Sequence, residues 1–297
     1  MKMTLAAQPP FSLPAVIRSH GWIQLAPFVA EDEYHAFTYV TQLRAGRVAS
    51  FRVEEAGAED AAAAGVSVTA DGDLTAAEQA EVAGKVAWMV GLDRDLSSFY
   101  AVARAEPKLA HVVAEARGRI LRSPTLFEDT VKTILTTNTS WAGTKRMVRT
   151  LVDLYGTPLD GEDARRAFPA PERLAGVDGE SLREEAKLGY RAPYVRELAQ
   201  RVASGELELE ALKTADLPSA ELRKELLAIK GVGDYAVANL LLLLGRPDFI
   251  PIDSYAFKMV SQEFYEGEPV GPQEVEAAFA GWGEWKGMAY WFWNWSE

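Results

Sequence analysis

Residues 222–259 constrain the fold more tightly than any other stretch. They read as a helix, a tight turn Lys230-Gly231-Val232-Gly233, a second helix, a short loop, and Asp253 at the head of a third helix. Two glycines around one apolar residue let the backbone reverse sharply while Val232 plugs the gap between the helices. The next helix, from about Tyr235 to Leu244, then presents its free N-terminal amides outward, where unpaired N–H groups and the helix dipole favour a phosphate. Gly-x-Gly alone equally describes a plain αα-hairpin. What sharpens it is a nearly continuous apolar helix, AVANLLLLLG, then a Gly-Arg-Pro-Asp turn and Phe249-Ile-Pro-Ile-Asp253-Ser-Tyr255.

An Asp directly before a helix is ordinarily an N-cap. A second role is compatible with the first, because a cap fixes the carboxylate's position and the helix N-terminus keeps it ionised. An ionised, prepositioned carboxylate suits cleavage of a glycosidic bond, whose transition state carries oxocarbenium character on the sugar.

The rest of the chain divides by pattern. Residues 11–73 are β-rich, with short β-branched or aromatic runs at 34–41, 47–54 and 65–70 separated by Gly and charged turns. The Ala- and acid-rich tract 54–64 is expected to be a surface loop without chemistry. From Thr75 the pattern is helical, opening on the capping-box spacing Thr75-x-x-Glu78, which recurs at Thr125-x-x-Glu128 and Ser181-x-x-Glu184. Phe127, Val131, Ile134 and Leu135 follow the second at core-facing spacing. Gly156 and Gly189 stand where helix C-caps are expected, and Pro193 can open a helix. The expected class is α+β, mainly α, with an antiparallel β/α lobe over 1–92 and a helical region over 93–297, its hairpin at 222–244 and its key loop at 245–254.

Composition excludes several chemistries. With no cysteine among 297 residues there is no disulfide, thiolate zinc site, cysteine nucleophile or iron–sulfur cluster, and His20, His35 and His111 are too scattered to suggest a metal cage. No run of about 18 apolar residues occurs and the first 14 residues lack a signal-peptide pattern. The expectation is a cytoplasmic, non-secreted protein with no membrane partner. A net charge of -12 opposes bulk attraction to nucleic acid, so any such binding must rely on Lys and Arg gathered on one face, or on backbone amides.

Lys230-Gly-Val-Gly233, the apolar helix and Pro251-Ile-Asp253 together resemble the helix-hairpin-helix (HhH-GPD) DNA glycosylase superfamily. The likeness continues through Thr136-Thr-Asn-Thr-Ser-Trp141, Leu188-Gly-Tyr-Arg-Ala-Pro-Tyr194 and Trp282-Gly-Glu-Trp-Lys-Gly-Met-Ala-Tyr290, covering roughly residues 95 to 295. It implies a β-containing lobe followed by a two-lobed helical glycosylase domain, Asp253 as the essential carboxylate, and a nucleoid-associated monomer that flips damaged bases out of double-stranded DNA. No cofactor is implied, although a structural monovalent cation could sit on the hairpin carbonyls. Lys230, Gly231, Val232 and Gly233 would bind the DNA backbone. Asn138 and Trp141 match the region that fills the hole left by the flipped base, although Asn138 also reads as a C-cap residue. Lys145 and Arg146, with Arg149 and then Arg191 and Lys286, would contact phosphates, although such a cluster is usually a solvated face. Asp234 would repel DNA unless it caps its helix.

In family members that also nick the strand, a lysine on the helix after the hairpin forms a Schiff base. The matching position is Tyr235, and a phenol cannot form that imine. The resemblance thus implies a monofunctional, water-using enzyme. An aromatic at Tyr235 resembles the 3-methyladenine branch, in which π-faces stack on electron-poor alkylated bases, with Trp282, Trp285 and Tyr290 as further pocket walls. Of the C-terminal aromatics, which also include Trp291, Phe292, Trp293 and Trp295, most are expected to be core. Residues 188–194 and Asn138 are closer to the 8-oxoguanine branch. An 8-oxoguanine-type or uracil-type glycosylase and a non-catalytic damage-binding protein therefore remain alternatives.

Overall fold

Alternating apolar side chains build a five-stranded antiparallel sheet of order β1-β5-β4-β3-β2, formed by β1 (Lys2–Ala6), β2 (Val29–Glu31), β3 (Ala36–Gln42), β4 (Val48–Glu55) and β5 (Gly65–Ala70). Tyr39 lies opposite Phe51 and Val53 opposite Val68, all buried. The computed structural model describes residues 1–57 and 64–293. Helix exceeds strand, 53% to 12%, so the chain is α+β but mainly α, an N-terminal antiparallel sheet preceding the helical part. The two edge strands, β1 and β2, carry no signal in the sequence: β2 is three residues long, too short for a period to show. Most of the expected loop over 54–64 lies outside the described residues, and its start, Glu54 and Glu55, still belongs to β4.

Thirteen helices are named among the described residues. In chain order they are α1 (Leu13–Ile17), α2 (Ala76–Val90), α3 (Ser97–Ala103), α4 (Ala110–Ala114), α5 (Leu126–Thr136), α6 (Trp141–Tyr155), α7 (Pro171–Ala175), α8 (Ala192–Ala203), α9 (Ser219–Leu227), α10 (Asp234–Leu243), α11 (Ser254–Phe264), α12 (Pro272–Phe279) and α13 (Lys286–Phe292). No described helix is long and apolar enough to cross a membrane.

The three capping-box spacings have three outcomes. At Thr75 the box closes, with Glu78 accepting from the Thr75 amide at 2.8 Å and Thr75 accepting from the Glu78 amide. At Thr125 it closes on one side only. Thr125 accepts from the Glu128 amide, but the Glu128 carboxylate turns inward to the Tyr39 hydroxyl and to Lys132, 2.6 Å away, and Glu210 instead accepts from the Phe127 amide. At Ser181 there is no box. Asp178 accepts from both the amide and hydroxyl of Ser181, and residues Ser181–Glu185 form a wide π-type turn. Gly156 closes α6 and Pro193 lies in the first turn of α8, as expected. Gly189, with φ +58°, opens a short 3-10 turn instead of closing a helix.

Two compact units interleave along the chain, Met1–Asp95 with Glu115–Ala211, and Leu96–Ala114 with Leu212–Glu297. Compactness thus cuts the chain differently from the change of composition near residue 92. The physical reason is that α3 and its neighbours join the C-terminal helices, with Phe99 packed on Trp285 at 5.4 Å and Lys108 paired with Glu263 at 2.6 Å.

Candidate active site

In the second unit, α9 and α10 form the expected hairpin. Gly231 adopts φ +88°, a left-handed backbone that only glycine takes cheaply, and Val232 is 6% exposed, filling the space between the helices. Gly233 is the N-cap of α10, and no side chain caps that helix. The first amides of α10 therefore have no intrahelical acceptor. Asp234 is not the cap. It is exposed and ion-paired with Arg223 of α9, which neutralises the acid that would otherwise oppose an anion there. Lys230 is exposed at the start of the turn.

Helix α10 buries Ala236–Ala238 and Leu240–Leu243, and Gly245, at φ +77°, ends it through bonds from the Gly245 and Arg246 amides to Leu242 and Leu241. The chain then runs against α13. The Gly287 amide donates to the Pro247 carbonyl at 2.6 Å, and a Cβ on Gly287 would overlap the Phe249 carbonyl and lie 2.5 Å from that of Pro247. This close approach is why residue 287 is glycine.

Asp253 ends the loop as the N-cap of α11, one carboxylate oxygen accepting from the Ala256 amide at 2.9 Å. The other oxygen makes no hydrogen bond among the described residues, and the side chain is half-buried. Tyr235 and Tyr290 lie within its field. Burial first, and then the charge of Asp253, push both phenols above their ordinary value, so both stay neutral and able to donate. Asn239 bonds back to the Tyr235 carbonyl at 2.9 Å and holds that turn.

The charge of Asp253 thus acts on both Tyr235 and Tyr290. Trp282 and Trp285 are half-buried and make ring contacts, Trp282 edge-on to Trp293 at 6.3 Å and Trp285 against Phe99. Trp293 in turn packs on Phe264 and Phe279, and Phe279 meets Tyr290 edge-on at 5.7 Å, so Trp282 and Tyr290 belong to one aromatic cluster, buried at Phe279, Tyr290 and Trp293 and open at Phe264. Trp295 lies outside the described residues. Lys286 is paired with Glu276 at 2.6 Å.

In the first unit, α5 ends at Thr137 and Asn138 takes φ +46°, so Asn138 follows the C-cap. The Asn138 side chain donates to the Tyr190 hydroxyl at 3.2 Å. Arg191, expected to reach a phosphate, is 6% exposed and donates to the Thr137 and Asn138 carbonyls, where it braces the turn. The motifs at 136–141 and 188–194 are therefore one structure. Trp141 is half-buried, its indole N–H donating to Gln24 at 3.0 Å and its ring filling space that a side chain on Gly21 would need. Lys145 reaches the same Gln24 oxygen at 3.2 Å, and Arg146 and Arg149 are exposed. Gln24, Phe249 and Gly287 are parts of these arrangements that sequence reasoning did not single out, and only Gly287 carried a signal, as the glycine of the Trp-Lys-Gly-Met motif. No group of three His, Cys, Asp or Glu among the described residues is placed to hold a metal ion.

Known proteins resemble this chain in sequence and in fold. A DNA-3-methyladenine glycosylase of Bacillus subtilis is 30% identical over 166 residues, 54% of each chain, so this protein spans about half that relative's length. A 3-methyladenine DNA-glycosylase structure from Archaeoglobus fulgidus superposes with TM-score 0.76 at 19% identity, covering 99% of this chain and 97% of the other. An 8-oxoguanine glycosylase/lyase from Clostridium acetobutylicum superposes with TM-score 0.72 at 20% identity over 98% and 97%. At such identities the structural likeness is one of fold. The profile described as HhH-GPD superfamily base excision DNA repair protein matches residues 131–284, from inside α5 to the turn before α13. With that match spanning the Asn138 turn, the hairpin and Asp253, the chain belongs to the HhH-GPD superfamily of base excision DNA repair proteins.

Proposed function

We propose that the protein is a monofunctional DNA N-glycosylase that flips alkylated purines of the 3-methyladenine kind out of double-stranded DNA and releases them by hydrolysis. The observation that carries this is Asp253: one oxygen is fixed by the Ala256 amide, the other is uncommitted among the described residues, and its charge helps to keep two phenols neutral.

The chemistry follows from those groups. As the glycosidic bond lengthens, positive charge develops on the sugar, and a carboxylate already in place stabilises it without reorganising. The free oxygen of Asp253 can orient the attacking water. Tyr235 and Tyr290 offer aromatic faces to a cationic base, which gains from them more than a neutral base does. With a phenol at 235 and no amine, departure of the base is not followed by imine formation at that position. The uncapped start of α10 supplies backbone amides for a phosphate, and Arg146 and Arg149 supply exposed cations. The names of the B. subtilis and A. fulgidus proteins support the alkylated-purine reading. The protein would act as a monomer in the cytoplasm, on the nucleoid.

A second reading, an 8-oxoguanine-type enzyme, is favoured by the Asn138–Tyr190–Arg191 arrangement and by the C. acetobutylicum likeness. Base release from duplexes carrying 3-methyladenine, 7-methylguanine or 8-oxoguanine separates the two. The expected result is release from the alkylated duplexes without strand scission. Asp253→Asn, which keeps the cap, should bind the lesion duplex while losing about 100-fold or more in rate. Absence of release from every alkylated duplex overturns the first reading, and lesion binding without release from any duplex makes the protein a sensor.

A further inference from the structure

Four residues before Asp253, the half-buried ring of Phe249 lies beneath two cations, with Arg223 Cζ 5.5 Å and Lys286 Nζ 5.8 Å from its centre. Both distances fall within the range in which a ring quadrupole attracts a cation. Neither cation is a loose surface chain. Arg223 comes from α9 and is paired with Asp234 at the start of α10, and Lys286 begins α13 and is paired with Glu276 of α12. Their side chains are only 31% and 22% exposed, so water screens these contacts incompletely.

Two like charges at one ring repel each other, and an apolar side chain such as Leu would fill the same space without drawing either of them. The arrangement holds together because each cation has its own carboxylate and both meet the same aromatic ring. Asp234, an acid in an awkward place beside an anion-binding helix start, thereby acquires a purpose, as does Lys286, whose charge is directed into the protein.

The backbone is fixed at the same point. Gly287 lies against the Pro247 and Phe249 carbonyls, Ile250 is 4% exposed, and the buried Pro251 locks its own φ. Little freedom remains between the Phe249 ring and the Asp253 carboxylate, so what holds the ring also holds the carboxylate.

We propose that Phe249 is a positioning residue for Asp253, tying the loop that carries the carboxylate to the hairpin through Arg223 and to α13 through Lys286, with Asp234 and Glu276 keeping those cations on the ring. The proposal rests on the reading of Asp253 as the catalytic carboxylate. A displacement of that carboxylate weakens transition-state stabilisation while leaving contacts with the DNA backbone intact, so the effect belongs in the chemical step.

The test replaces Phe249 in the full chain with 4-fluoro-, 3,5-difluoro- and 3,4,5-trifluorophenylalanine, which drain the ring's negative face with little change in size, and with Leu and Trp. Under single-turnover conditions with saturating 3-methyladenine duplex, the base-release rate should fall stepwise with fluorination, to about one-tenth overall. Phe249→Leu should lie at the low end and Phe249→Trp near the parent. Duplex affinity and Tm should stay level across the fluorinated series. A rate independent of fluorination, or a loss tracking Tm, overturns the proposal. Amide hydrogen exchange at Ile250, Ile252 and Asp253, measured without DNA, should quicken along the same series. If the parent releases no base from any duplex, the reading of Asp253 fails by itself, and exchange that fluorination leaves unchanged then overturns the clamp independently.

Discussion

Helices α5 and α10 do the same job by opposite means. Each runs into a segment that the sequence marks for a role, α5 into the Asn138 turn of the first unit and α10 into the loop of the second unit that ends at Asp253. Helix α10 is anchored by Ala236–Ala238 and Leu240–Leu243, an unbroken apolar surface. Helix α5 buries Glu128, Asp129, Thr130, Lys132 and Thr133 alongside its apolar face, and each charge meets a partner. Tyr39 donates to Glu128, Lys132 pairs with Glu128, and Trp22 and the Ser123 amide donate to Asp129 at 2.8 and 2.9 Å. The contrast shows that packing and matched charges can both fix a turn, but with different sensitivities, since a polar core fails when one member is lost.

The largest break in that comparison should come from Lys132→Met. It leaves the Glu128 carboxylate buried without its cation and should lower the unfolding free energy by about 3–5 kcal/mol in urea titration. Adding Glu128→Leu should restore most of the loss, and a double variant no better than the single one would show that the pair is not the reason.

Next comes pH. Burial pushes the Asp129 carboxyl up to about 6, from 3.8, and one of its oxygens is buried without a hydrogen-bond partner. The folded state therefore holds this proton more tightly than the unfolded chain. Its stabilising contribution is full below about pH 4 and is lost as pH rises through about 6, a change of about 2–3 kcal/mol. In Asp129→Asn that slope should vanish from stability measured between pH 4 and 7, and a slope equal to that of the parent would refute the assignment.

The smallest effect on stability, and the one that sharpens the contrast, should come from Gly287→Ala. The added methyl group meets the Phe249 and Pro247 carbonyls, so the loop must shift, at about 1–3 kcal/mol. Base release at a temperature where the variant is fully folded should fall further than lesion binding does. An unchanged rate would mean that the loop tolerates displacement.

Much of the second unit was legible from the chain because its devices are local. The left-handed Gly231, Val232 between helices, the apolar α10 and the cap at Asp253 all lie within residues 231–253, and each is a rule about neighbours in sequence. Tyr290 carried a signal only through a resemblance, since the Asp253 charge that acts on it lies 37 positions away in the chain. The first unit was less readable for the same reason. Thr125-x-x-Glu128 has the spacing of a capping box, yet Tyr39 and Lys132 take the carboxylate, and nothing near residue 128 announces Tyr39. The resemblance makes Arg191 a phosphate ligand, whereas in the fold the carbonyls of Thr137 and Asn138 claim it, and those groups lie more than fifty positions away in the chain.

By itself the sequence determined the antiparallel sheet, the helical remainder, the hairpin and the capped acid, because these depend on backbone preference and on side chains a few residues apart. Tertiary structure alone decided which charges are buried and matched, that Trp285 packs on Phe99, and that Phe249 lies under Arg223 and Lys286. Those outcomes depend on groups tens or hundreds of residues apart, and the energy of a charge or a ring is set by what surrounds it in space.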